Sequence, residues 1–187
     1  MSIETKAKVA NPGPLGLLGF GMTTVLLNLC NAGILDLSIS VIAMGIALGG
    51  LAQIIAGIFE LRNGNTFAGT AFTAYGLFWW SFVLIKVCPF EAIVPADLTS
   101  IACYLTLWGI FTAFMFVGTL KHNKATQVVF GSLTILFFLL AIGDFAGNHT
   151  ITKIAGFEGI FCGLSAVYSA MGQIVNEEFG KKIIPLG

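Results

Sequence analysis

Six apolar stretches of about twenty residues each, parted by short polar breaks, take up nearly all of this 187-residue chain. About twenty consecutive apolar residues is the length a helix needs to cross the hydrocarbon core of a bilayer. The stretches run over about 16–35, 39–61, 67–88, 98–120, 125–145 and 151–176. The breaks contain helix-stopping and charged residues: Asp36 with Ser38, Arg62 to Asn65, Pro89 to Asp97, Lys121 to Lys124, and Gly143 to Asn148. The chain therefore reads as all-α, a polytopic membrane protein with six transmembrane helices forming a single domain over 1–187. Its 57% hydrophobic and 10% charged residues lie far from the balance of a soluble globular chain. Zero formal net charge removes the case for a nucleic-acid partner or a polybasic membrane-surface role. Membrane lipid is the first partner implied.

Met1 to Ala10 is polar and has no signal-peptide pattern, so the first span is expected to be retained. Lys6, Lys8, Arg62, Lys121, Lys124, Lys181 and Lys182 fall on one side of six alternating spans, against Lys86 and Lys153 on the other. Positive charge accumulates on the cytoplasmic side. The expectation is a protein of the cytoplasmic membrane with both termini inside, residues 1–10 and 177–187 forming short cytoplasmic ends. Cys30, Cys88, Cys103 and Cys162 are scattered without a C-x-x-C or a neighbouring histidine pair, so they read as packing residues. His122 and His149 fall in predicted loops. The sequence implies no metal site and no cofactor.

Six spans divide into three plus three, and an odd number of helices per half makes any internal repeat an inverted one. Gly50–Arg62 aligned on Gly109–Lys121 is the only trace of it, and both readings stay open. Gly45, Gly49, Gly50 and Gly57 in the second span, and Gly156, Gly159, Gly163 and Gly172 in the sixth, mark close helix contacts. Packing within the chain is the plainer account of them, and an oligomer interface is the other.

Polar residues inside the spans carry the functional information, because lipid leaves a buried polar group no water to bond. Phe20, Thr24 and Asn28 recur at i, i+4 and i+8 on one face of the first helix, with Thr23 beside them. Gly49, Gln53, Gly57 and Glu60 share a face of the second. Thr66, Thr70 and Thr73 share one of the third, with Tyr75 and the pair Trp79-Trp80 nearer its other end. The fifth carries Gln127, Gly131 and Thr134, with Ser132 and Leu133 between. Thr and Ser can instead bond their own helix carbonyls, and amides can tie helices together. The tryptophans fit an interfacial belt or packing as well as a pore lining. Glu60 beside Arg62 fits a helix-end ion pair or proton handling, and Glu158 is the more buried acid of the last loop region; Asp144 fits a water-facing vestibule.

Asn11-Pro12-Gly13-Pro14-Leu15-Gly16-Leu17 resembles the Asn-Pro-Ala-Pro-Leu-Gly-Leu signature of the acetate uptake transporter family. Gly19 to Thr24, Leu27 to Leu29, Ala43 to Gly45, Gly49-Gly50, Ala52-Gln53, Ala56-Gly57, Glu60, Gly64 to Phe67, Thr70 to Thr73, Tyr75-Gly76, Leu107 to Gly109 and Asn176-Glu177 agree with it, so the resemblance runs from about Asn11 to Leu186. It implies a six-helix protomer assembled as a homohexamer, each protomer with its own path for acetate and similar small carboxylates. It also implies an apolar constriction of Phe20, Tyr75 and Leu133. Three departures stand out: Gly13 for Ala, expected to loosen the turn at the motif; Ala74 for a common Ser; and Glu158 for an apolar residue.

The resulting expectation is a monocarboxylate transporter whose constriction selects by size and dewetting. Thr23, Thr24, Asn28, Gln53, Thr73 and Ser132 are expected to line the path, Glu60 and Glu158 are the candidates for proton handling, and Asn11, Pro12 and Pro14 form the entry motif. The residues fit a proton symporter and a passive channel alike, and a neutral solute such as urea or ammonia remains an alternative. A membrane assembly subunit is a further one. No nucleophile, metal cluster or phosphate loop supports an enzyme.

Overall fold

The computed structural model describes residues 9–87 and 94–187. Lys6, Lys8, Cys88 and Pro89, used above, lie outside the described residues. Six helices are long and apolar enough to cross a membrane: α1 (Gly13–Asn31), α2 (Ile39–Arg62), α3 (Thr66–Val87), α4 (Leu98–Thr119), α5 (Lys124–Ala146) and α6 (His149–Glu178). The six-span expectation is borne out, with ends that differ for physical reasons.

Helix α1 starts three residues before the expected position because the N-terminal motif is a helix cap. Pro12 is the N-cap and Pro14 lies in the first turn, where a missing N–H leaves nothing unsatisfied. The Asn11 side chain accepts from Gly13 N at 2.9 Å. Gly13 is an ordinary helical residue without positive φ, so the expected loosening of the turn is not found. At the other end Ile34 N reaches back to Leu29 O at 2.9 Å across Gly33, whose φ is +74°, and α1 stops at Asn31 rather than near 35. Asn148 caps α6 by accepting from Thr150 N and Ile151 N, which puts His149 in the helix and not in a loop. Asp97 caps α4 by accepting from Ser100, and those hydrogen bonds hold its carboxyl below the usual carboxylate range.

Helix α2 contains an eight-residue π segment, Gly45–Ala52. A π turn bonds i to i+5 and disturbs the regular ladder. The Trp80 indole donates to Ile46 O within it at 3.0 Å, while Trp79 is buried against Gly49. Both tryptophans thus serve α2–α3 packing.

Consecutive helices run antiparallel. The most extensive pairings are α1 with α6 and α2 with α3, followed by α4 with α5 and α5 with α6; the α3 and α4 backbones hardly approach one another and meet through side chains such as Tyr75 and Thr112. Exchange of the two halves would make α4–α3 equivalent to α1–α6, so the packing does not display an inverted three-plus-three repeat. Asn11, beside Gln173, and Gly187, beside Lys124, lie at one end of the bundle, here the terminal end.

Glycines set the closest approaches within the protomer. A Cβ at Gly163 would lie 2.7 Å from Gly21 O and 2.8 Å from Val25 N, and one at Gly159 would overlap the Asn28 side chain. One at Gly57 would overlap Thr73, and one at Gly50 the Trp80 ring. The intramolecular reading of both glycine rows is supported, since packing rather than water expulsion joins helices in lipid.

Beyond α6 the chain folds back. Asn176 Oδ1 accepts from Ile183 N and Ile184 N, and its Nδ2 donates to Ile184 O at 2.8 Å. Ala125 N donates to Leu186 O, so the tail caps α5. Asn176→Ala removes three hydrogen bonds. At about 1 kcal/mol each, the melting temperature of the detergent-solubilised protein should fall by about 5–10 °C; an unchanged value would show that the tail contributes little.

Candidate functional site: a path between the helices

Phe20, Tyr75 and Leu133 come from three helices into one core cluster, at 6%, 4% and 3% exposure. The Phe20 and Tyr75 ring centroids are 6.1 Å apart at a tilt of 41°. Tyr75 is fenced by Phe111, Trp108 and Phe130 at 5.6, 6.1 and 6.2 Å. Its hydroxyl lies 3.0 Å from Thr112 Oγ1, and Thr112 donates its own proton to Trp108 O at 2.7 Å. Thr112 has one proton to give, so the Tyr75 hydroxyl is the donor and is turned into α4. What Tyr75 offers to the cluster with Phe20 and Leu133 is a ring. Tyr75→Phe should therefore leave acetate flux within about threefold of the parent and lower stability by about 1 kcal/mol; a loss of flux would mean that the hydroxyl meets the solute.

Next to the three side chains lies a cavity of about 30 Å³, lined by Phe20, Tyr75 and Leu133 with Thr24, Asn28, Trp79 and leucines and phenylalanines of α3 and α5. That is room for about two waters. Asn28 is oriented by its own helix: Nδ2 donates to Thr24 O at 2.9 Å, and Oδ1 accepts from Asn31 Nδ2 at 3.0 Å. Thr24 Oγ1 has no hydrogen-bond partner in the protein.

Leu27, Phe78 and Leu140 also line a second, larger cavity of about 410 Å³, at the end of the bundle away from the termini. Asn31, Asp36, Lys86, Asp144, His149 and Thr152 supply its polar wall. Asp144 lines this cavity. The volume is that of a small-molecule site, roughly 300–1,000 Å³. The two cavities are neighbours, with Leu27, Phe78 and Leu140 as shared lining.

The other residues singled out by sequence divide into three groups. Thr23, Gln53 and Thr73 are gathered where α1, α2 and α3 meet, outside the two cavities: Thr23 packs on Gly49, Gln53 on Gly19, and Thr73 on Gly57. The Thr23 and Thr73 hydroxyls and both amide atoms of Gln53 are buried without a protein partner. Such a group costs about 1–3 kcal/mol to leave unpaired, so the plain back-bonding account fails for these residues. It holds for Ser132, which donates to Val128 O at 2.7 Å, and for Thr134, which donates to Phe130 O. Gln127 sits at the terminal end, donating to His122 O, and is not part of a polar lane.

At the terminal end Asn11 Nδ2 donates to Gln173 Oε1 at 3.1 Å, and Asn65 Nδ2 donates to Glu60 Oε2 at 2.9 Å. Asn11, Glu60 and Gln173 oxygens surround Gly13, within 3.5 Å of the point its Cβ would occupy. Glu60 is buried in this cluster while Arg62 is exposed, so the ion pair considered between them gives way to Asn65. Glu158 stands apart. It is half-buried on α6, lines neither cavity, and has an Oε2 without a hydrogen-bond partner.

Sequence reasoning missed Thr112, Phe78, Leu136 and Phe137. Helical spacing could have found three of them, since Phe78 is one turn from Tyr75, and Leu136 and Phe137 one turn from Leu133. Among the described residues no cluster of potential metal ligands occurs.

Three comparisons extend these observations. The sequence profile of the GPR1/FUN34/yaaH family matches residues 1–185. The succinate-acetate/proton symporter SatP of Escherichia coli (strain K12) is 54% identical over 181 residues, 96% of this chain and 96% of that protein. The ammonia transport outward protein 2 of Saccharomyces cerevisiae is 37% identical over 180 residues, 91% of this chain and 64% of that protein. Among solved structures, that of the bacterial acetate channel SatP superposes with a TM-score of 0.94 at 53% identity, covering 96% of this chain and all of that one.

Proposed function

The chain belongs to the GPR1/FUN34/yaaH family, and from that premise we propose that it carries acetate and related short-chain carboxylates across the membrane with a proton. The observation that carries this reading is the smaller cavity, in which the Phe20, Tyr75 and Leu133 side chains adjoin the polar groups of Thr24 and Asn28. A methyl group suits the apolar ring and a carboxyl group suits the hydroxyl and amide next to it. Hydrated inorganic ions suit neither, because a dry constriction strips their water.

An ionised carboxylate loses several kcal/mol on leaving water for such a site. A simple carboxyl titrates near pH 4 to 5, so a proton carried with it lowers the barrier. Glu60, with Asn11 and Gln173 at the terminal end, is the proton-handling group nearest the expected path, and Glu158 is a second. Thr23, Gln53 and Thr73, whose polar atoms lack protein partners, continue the path beyond the constriction; Ser132 contributes its carbonyl-bonded hydroxyl beside Leu133. The protein is a homohexamer with one path per protomer, in the cytoplasmic membrane, and its termini are cytoplasmic, as the lysine distribution supports.

Labelled acetate uptake into proteoliposomes, with and without an inward proton gradient and against protein-free liposomes, tests this. Gradient-driven accumulation is the expected result. Protein-dependent equilibration without accumulation would make the protein a passive channel. The yeast relative named for ammonia transport supports a second reading, a neutral solute; ammonia flux with no acetate flux would establish it.

A further inference from the structure

We propose that Phe67 and His122 are positioning residues of the constriction, the outer members of a column of rings that reaches from the terminal end of the bundle to Tyr75. The charge of His122 sets how firmly that column is held. The proposal rests on the transport reading above and adds to it a control by acidity.

Ring contacts run unbroken along the column. His122, exposed in the α4–α5 connection, has its ring centroid 4.7 Å from that of Phe67 at a tilt of 48°. Phe67, half-buried near the start of α3, is 5.3 Å from Phe130, and Phe130, buried on α5, is 6.2 Å from Tyr75. Leu133 follows Phe130 on the same face of α5, one turn on. Phe130 thus packs on one member of the constriction and shares a helix face with another. A close-packed interior transmits a displacement, so a shift of Phe67 is felt at both.

The two outer rings are held in place. A Cβ at Gly118 would lie 2.9 Å from Phe67 Cε2, so this glycine of α4 makes the seat for the Phe67 ring. His122 N donates to Thr119 O at 2.7 Å, and His122 O accepts from Gln127 Nε2 at 2.9 Å, which fixes the backbone beneath the imidazole. Among the described residues, the charged groups of its own connection and of the helices it meets are few. Lys121 and Lys124 flank it, α4 carries none, and Lys86 of α3 and Asp144 of α5 stand at the far end.

A cation within about 6 Å of an aromatic centroid is attracted to the ring face. Protonated His122 therefore grips Phe67 more tightly than neutral His122, and the constriction behind it yields less. Imidazoles change charge between about pH 5 and pH 8. Acid delivered to the terminal side thus slows its own further entry.

A surface ring on a phenylalanine also has a plain use, covering apolar surface. That use predicts an effect on stability and none on how flux responds to pH. The separating experiment measures exchange of labelled acetate in proteoliposomes at equal pH on both sides, at about pH 8 and about pH 5.5, with protein-free liposomes subtracted. The ratio of variant to parent at each pH cancels the change in acetate ionisation. His122→Phe keeps a ring on Phe67 without the charge. It should match the parent at the higher pH and exchange about two- to fivefold faster at the lower, the range a cation–π contact at an exposed site is worth. In a Phe67→Leu background the difference should vanish at both. His122→Phe alters an exposed side chain, so the test stands even if Phe67→Leu fails to fold. A ratio that is the same at both pH values overturns the proposal, as does a parent faster than His122→Phe at the lower pH or a difference that survives in Phe67→Leu. A parent that carries methylammonium and not acetate overturns the carboxylate reading alone, and the same ratio is then read on methylammonium; a parent that carries neither overturns both.

Discussion

Leu133→Ala should let longer acids through. The side chain closes one wall of a cavity that holds about two waters, and its loss adds room for further methylenes of the solute. Each methylene that an apolar site rejects or accepts changes discrimination by roughly 10- to 200-fold. Uptake of butyrate relative to acetate should therefore rise by about tenfold or more, with butyrate becoming an effective competitor of acetate. The backbone around Leu133 is held by regular α5 hydrogen bonds, and Ser132 and Thr134 bond within the helix, so the neighbouring rings need not rearrange. Competition assays with acids of increasing length measure the effect. An unchanged cut-off would remove Leu133 from the constriction.

A second large effect is expected on folding. Gly163→Val places a branched side chain where a single Cβ already lies 2.7 Å from Gly21 O and 2.8 Å from Val25 N. Both are backbone atoms of α1, so the helix as a whole must move. Overpacking of a well-filled contact costs about 1–3 kcal/mol for a small insertion, and the valine adds more than one group. A cost of about 3 kcal/mol would lower the melting temperature by about 10 °C. The same displacement reaches Asn28, which occupies the space left by Gly159 one turn away on α6, so surviving protein should also transport poorly. Dissociation of an oligomer without loss of protomer stability would instead assign this glycine row to a contact between subunits.

The membrane made much of this architecture legible. A bilayer demands runs of about twenty apolar residues, and six such runs mark six helices whatever their arrangement. Periodicity grouped Phe20, Thr24 and Asn28, and all three line the smaller cavity. It could not tell which face of another helix they would meet. That Tyr75 and Leu133 meet Phe20 followed from resemblance, not from spacing. The π segment was hidden because Gly45, Gly49 and Gly50 carry no mark that separates an i+5 bond from close packing, and both occur there. The larger cavity was hidden for another reason. Asp36, Lys86, Asp144 and His149 come from four separate segments, and only the ring-like order of helices brings them to one mouth. The start of α1 was misplaced by three residues for a local reason: Pro12 and Pro14 begin the helix as its cap and first turn.

The central claim is that carboxylates cross between Phe20, Tyr75 and Leu133, and acetate flux through Leu133→Trp tests it most directly. An indole in place of the isobutyl group fills a cavity of about 30 Å³ without adding charge. The account predicts that folded Leu133→Trp protein, checked by its melting temperature, passes acetate no faster than protein-free liposomes. Parent-like acetate flux through that protein would put the path elsewhere.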